Sequence, residues 1–312
     1  MQFLGVHWDN ESQKPSLNFK SVPNSGNEER KPLEISSNFA IEIKTTKHCI
    51  GFHNPPKYNR ENCPDNVDLT GRDEHQCAKC RYSDSKYFLP LDVISQQSKE
   101  ELKTLKHYNY LNLFGTNIVK IGVAADNRQY TRLLEQGAFA SILFAVGNGY
   151  NTRMVEDYIS RALKIRQAVS WQTKIKLMNR GVTPAQAFAV LDEIYRDVVD
   201  ILDKHFQSGV TLINEHLFLL DRYNLPLSSK ISELTYIDDI SLGSVVSGKL
   251  IGVYGQLLVF EIGNITAVLN SKSILGHDFT ISKNVDNSSH SSTDFATKKI
   301  TFINHTPEGG LF

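Results

Sequence analysis

Every cysteine of the chain, Cys49, Cys63, Cys77 and Cys80, falls in one stretch that is otherwise rich in Gly, Pro, Asn and Asp. Such a stretch buries little apolar surface, so an ordered fold there needs a staple. The spacing is C-x13-C-x13-C-x2-C. The close pair "CAKC" puts two thiolates on one turn, and Cys49 and Cys63 complete a tetrahedral set of the kind that holds Zn²⁺. His53 and His75 are spare ligands. Four thiolates leave no open position for a substrate, so the expected zinc is structural. The plainer reading is a group of buried thiols without metal. A redox pair would more often sit at a strand-to-helix junction, whereas this pair follows "GRDEHQ".

Charge narrows the choice of partners. Lys plus Arg and Asp plus Glu both number 34, for a formal net charge of zero. A dedicated nucleic-acid binder is usually basic overall, so any phosphate-binding role rests on a local patch. The start, "MQFLGVHWDN", has no signal-peptide pattern, and no apolar run reaches membrane-span length. The expectation is a cytoplasmic protein with no membrane partner, whose cysteines are thiols or metal ligands rather than disulfides.

The chain reads as an α+β protein. Residues 1–45 form an N-terminal extension with one strand, marked by alternation at Phe39, Ile41 and Ile43. Residues 46–95 are the cysteine-rich zinc module, 100–222 an α/β core with helices, and 228–312 a small antiparallel β-domain, barrel or sandwich. In the core, "YNYLNLFG" and "NIVKIGVAA" are strand-like and joined by a "GTN" turn. "RQYTRLLEQGA" is a short helix ending near Gly137, and "ASILFAV" a third strand. "TRMVEDYISRALKIRQAV" reads as one amphipathic helix. A longer helix starts at Thr183 and Pro184, with Phe188, Leu191, Tyr195, Val198 and Leu202 as its core stripe. "NLPLSS" is a linker, "KNVDNSSHSSTDF" a loop, "KKITFI" a last strand and "NHTPEGGLF" a tail.

At "HCIGFH … CPDN … QCAKC", "HYNYLNLFGTNIVKIGVAADNRQYTRLLEQGA", "RMVEDYIS" and "GKLIGVYGQLLVFE", the chain resembles a prokaryotic domain-of-unknown-function family, number 2797, with zinc-ribbon-like cysteines. The resemblance covers roughly residues 40–280, and its most specific part is "KIGV" followed by "TRLLEQGA". More remotely, the central segment is similar to the GIY-YIG nuclease superfamily. That likeness implies an opening hairpin whose strands carry the two name motifs. Tyr110 stands for the first motif's tyrosine, and Lys120, Ile121 and Gly122 for the second motif. The family's helix arginine matches Arg132 and its metal-binding glutamate Glu156, whereas Ala124 stands where a threonine is common.

What the resemblance implies is phosphodiester hydrolysis, which needs an activated water and relief of charge on the phosphate. A phenol near pKa 10 can help activate water when a neighbour withdraws its proton. Lys120 on the adjacent strand would do so for Tyr110, Arg132 would offer a planar fork to phosphate oxygens, and Glu156 would hold Mg²⁺ or Mn²⁺. Each also has a plain structural reading, as a strand aromatic, an edge charge or a surface ion pair. Between residues 151 and 180, seven Lys/Arg stand against Glu156 and Asp157, a net of +5 with Trp171 among them. Arg153, Arg161, Lys164, Arg166, Lys174 and Lys176 are the candidate contacts to DNA or RNA; the plain reading is a solvated helix face with Trp171 in the core. The expected function is therefore nucleic-acid interaction, as a divalent-metal-dependent nuclease. The alternative is a non-catalytic, zinc-stabilised scaffold that binds nucleic acid or protein.

Overall fold

The computed structural model describes residues 1–23, 27–54, 59–71, 74–178, 180–206, 209–225, 233–240, 244–283 and 295–301. Four strands come first, β1 (Gln2–Trp8), β2 (Pro15–Lys20), β3 (Glu29–Pro32) and β4 (Asn38–Lys47). In β4, Phe39, Ile41 and Ile43 are buried, as their alternation predicts. The sequence reading found no strand before β4. In β1 the register slips between Phe3 and Gly5, so the buried Phe3, Val6 and Trp8 lose strict period-two spacing.

The cysteine-rich segment folds as a hairpin, β5 (Phe52–Asn54) and β6 (Asn59–Glu61), followed by α1 (Ala78–Phe88). α2 (Gln96–Thr104) begins at Ser95, whose side chain accepts the Ser98 N–H.

The core then opens on an antiparallel hairpin, β7 (Lys106–Phe114) and β8 (Ile118–Ala125). Gly115 takes the turn at φ 63°. A single 3₁₀ turn leads into α3 (Gln129–Gln136), which Gly137 ends in the left-handed conformation. Next come β9 (Ala140–Asn148), α4 (Gly149–Ala162), α5 (Trp171–Leu177), α6 (Pro184–His205) and β10 (Val210–Phe218). Thr183 and Gln186 cap α6 reciprocally. The helix expected to run on to Val169 stops at Ala162. Lys164 turns the backbone back at φ 54°, and Arg166 then bridges to Lys120 beside β8.

Last come β11 (Glu233–Ile240), β12 (Val245–Tyr254), β13 (Leu257–Ile262), β14 (Ile265–Asn270), β15 (His277–Lys283) and β16 (Phe295–Thr301). They do not stand apart from residues 1–45. One ten-stranded sheet runs β16-β11-β14-β13-β12-β4-β15-β1-β2-β3. It is mixed rather than antiparallel throughout, because β11 and β14 pair in parallel. The expected linker beyond Leu225, the loop after Lys283 and the tail lie outside the described residues.

A second sheet, ordered β10-β9-β7-β8, has two buried faces. On one, Leu111, Leu113, Ile121 and Phe144 pack against Val155 and Ile159 of α4 and Leu191, Val198 and Leu202 of α6. On the other, Tyr110, Phe114 and Leu143 join Leu133 and Leu134 of α3 and the core of the large sheet. Trp8 stitches the two. Its indole donates to the Gly255 carbonyl at 2.9 Å, and its own carbonyl accepts from Thr131 Oγ1 of α3 at 2.7 Å. Tyr223 packs edge-on against both Trp8 and Tyr254 and donates to the Ala138 carbonyl at 2.8 Å. Thr131→Val strips the buried Trp8 carbonyl of this donor. It is expected to cost about 1–3 kcal/mol, read as an earlier urea midpoint with an unchanged m-value.

Candidate functional site

A cavity of about 410 Å³ lies where β7, β8, α3, α4 and the cysteine-bearing hairpin meet. Tyr110, Lys120, Arg132 and Glu156 all line it. The hairpin register sets Tyr110 opposite Gly122 and Asn112 opposite Lys120, so all four residues share one face of the strand pair. A Cβ on Gly122 would lie 2.3 Å from the Tyr110 phenol oxygen, so glycine is what lets the ring lie there. Lys120 is 5% exposed and donates to Tyr110 Oη at 3.2 Å and to Gln136 Oε1 at 3.1 Å.

Arg132 and Gln136 are one helical turn apart on α3 and face the same way. Burial works against the Arg132 cation, but Tyr110, Glu135 and Glu156 outweigh it and hold the guanidinium charged. Glu135 itself is taken by Arg128, 2.6 Å away. Among the described residues, neither Arg132 nor Glu156 is locked in a salt bridge. Burial pushes the Glu156 carboxyl up to about 7, with Asp157 adding to the effect against the pull of Lys120, Arg153 and Arg132.

The cavity also holds residues that the sequence reading missed, Arg60, Asp84, His107, Arg128 and Gln167, together with His53, which was read as a spare metal ligand. His107 stands three residues before Tyr110 in the same strand, which was a readable signal. Burial lowers its proton affinity, with Arg153 adding to the effect. His53, Arg60 and Asp84 come from the cysteine-bearing module, and no local spacing connects them to β7.

The six basic candidates do not form one face. Arg153 lines the cavity and donates to the Leu89 carbonyl at 2.5 Å. Arg161 lines a different hollow and donates to the Asp157 carbonyl at 3.0 Å. Lys164 and Arg166 are exposed in the segment after α4, and Lys176 is exposed on α5. The Lys174 ammonium lies 5.3 Å over the Phe114 ring. Burial lowers its pKa to about 7, helped by Lys272, Lys120 and Arg132. Trp171 stacks on Tyr236 at 4.2 Å between ring centroids, so it packs against the large sheet.

The four cysteine sulfurs lie within 4.8 Å of one another. Cys63 and Cys77 Sγ are 3.9 Å apart. Tetrahedral thiolates at metal–sulfur bonds of about 2.3 Å would stand about 3.8 Å apart, so the set fits one ion. Cys49 Sγ accepts the Cys77 N–H at 3.2 Å. Burial pushes the Cys49 thiol up to about 11 and that of Cys80 up as well, an effect that a bound cation reverses.

Residues 37–279 match the family described as "Protein of unknown function (DUF2797)". The chain belongs to this family. The match takes in the cysteine cluster and every residue of the cavity. No curated protein and no solved structure matches the chain. Among the described residues, no helix is long and apolar enough to cross a membrane.

Folding raises the proton affinity of Glu156, so its ionisation opposes folding. The penalty is absent below the ordinary value of 4.5, grows as pH rises, and is complete above about 7. Glu156→Gln should therefore gain stability relative to the native chain between those limits. Urea melts of both proteins across that range check it, and a constant difference would refute the assignment.

Proposed function

We propose that this cavity is the active site of a divalent-metal-dependent phosphodiester hydrolase acting on nucleic acid, on a core like that of the GIY-YIG nucleases. The observation that carries the reading is the meeting of Tyr110, Lys120, Arg132 and Glu156 in one cavity, from two strands and two helices. Lys120 donates to the Tyr110 oxygen and so fixes the phenol group where it would orient the attacking water. Arg132 presents its fork to the phosphate oxygens. Glu156 would hold Mg²⁺ or Mn²⁺, with water and phosphate oxygens as further ligands. Bound there, such an ion would polarise the phosphate and supply charge to the leaving oxygen. Arg153, at the same cavity, would steer the strand.

The four-cysteine set is assigned to a structural Zn²⁺, which suits closed thiolate sites. One observation favours the non-catalytic scaffold instead: a carboxyl raised to about 7 is a weak metal ligand at neutral pH.

Incubation with single- and double-stranded DNA and RNA, with Mg²⁺ or Mn²⁺, decides between them. Cleavage should fall at least about 100-fold in Tyr110→Phe, Arg132→Ala and Glu156→Ala. Equal cleavage by all three would show the site is misassigned, and binding without cleavage would favour the scaffold. For the zinc, metal analysis of the purified chain should find about one equivalent, lost in Cys63→Ser and Cys80→Ser. Less than about half an equivalent in a folded native chain would overturn the assignment.

A further inference from the structure

The cysteine-bearing hairpin does more than support itself. His53 and Arg60 are direct partners across β5 and β6, so both side chains share one face, and both line the cavity. The hairpin backbone is held from behind. Asp84 accepts the His53 N–H with one carboxylate oxygen and the Gln76 amide with the other, and Gln76 also donates to the Gly51 carbonyl at 2.7 Å. Glu28 lies 4.0 Å from Arg60 Nε. Yet His53 Nδ1 and Arg60 Nη1 are buried with no hydrogen-bond partner among the described residues. Buried polar nitrogens ordinarily have partners, and unpaired ones at a cavity point to a ligand that supplies them.

Charge says which ligand. Arg60, Lys120, Arg128, Arg132 and Arg153 line the cavity against Asp84 and Glu156, so it attracts anions. His53 and Arg60 reach the cavity from the cysteine-bearing hairpin and Arg132 from α3, so they line it from different walls. We propose that Arg60 and His53 form a second anion subsite, which takes the phosphate next to the one held by Arg132, so that the ligand is a strand carrying at least two consecutive phosphates. This rests on the phosphodiester reading above for the nature of the anion. Burial, with Arg128 and Arg60, keeps the imidazole neutral down to about 4, so near neutral pH it serves as a single hydrogen-bond donor and not as a cation.

The test is calorimetric and uses the full chain without added divalent ion. The probes are a nucleoside monophosphate and a 5′-phosphorylated dinucleotide, which carries two phosphates. The native chain should bind the dinucleotide more than about tenfold tighter. His53→Ala and Arg60→Ala should reduce its affinity to about that of the native chain for the monophosphate, with bound metal unchanged. Where an alanine variant loses its metal, and hence the module, His53→Gln and Arg60→Gln replace it and should give the same loss. Equal affinity of the native chain for the two probes overturns the proposal. So does dinucleotide affinity within about twofold of native in metal-replete variants. A chain that binds two phosphates but cleaves nothing would sink the hydrolase reading and leave this subsite standing.

Discussion

An ammonium group withdrawn from water has to be met by acceptors, and around Lys120 that requirement organises the site. Its two acceptors, Tyr110 Oη and Gln136 Oε1, come from the neighbouring strand and from α3. The helix turn that delivers Gln136 delivers Arg132 with it. Tyr110 can lie where it does because Gly122 has no side chain. A one-residue slip of β8 would turn Lys120 toward the apolar face under α4 and α6 and bring Ile121 into the cavity. Strand register, helix placement and the choice of glycine are thus parts of one arrangement.

Much of this was legible in the sequence. The hairpin, the short helix closed by Gly137 and the capped helix from Thr183 follow from local pattern, and the structure holds each. The cysteine spacing predicted a cluster, and the sulfurs converge. The remainder depends on long-range pairing. β1 is hidden by its bulge, and its place beside β15 depends on a partner more than 270 residues away, Gln2 facing Asp278. The break after Ala162 was hidden because Leu163 and Ile165 continue a helical pattern that the bridge between Lys120 and Arg166 overrides. Arg60 could not be read as a site residue and His53 was read only as a spare metal ligand, since their place at the cavity comes from docking of the module and not from spacing.

The docking gives the cysteine set a consequence beyond local order. The loop-rich hairpin has little apolar surface to hold it, with Phe52, Val67 and Leu69 packed around the sulfurs. Its side chains nevertheless complete a cavity whose other walls are mostly strand and helix. A metal held by the four cysteines would therefore be coupled to the shape of the site through one small element.

The position of β15 bears on how the chain is made. It lies between β4 and β1, so the strands synthesised first find their neighbour only after nearly the whole fold has left the ribosome. Until then β1 and β4 carry bare edges, the kind of surface that recruits foreign strands and that chaperones shield. The hairpin of β7 and β8, by contrast, closes on itself within a few residues. Local pairing of this kind costs little loop entropy, whereas the large sheet is complete only when its C-terminal strands arrive.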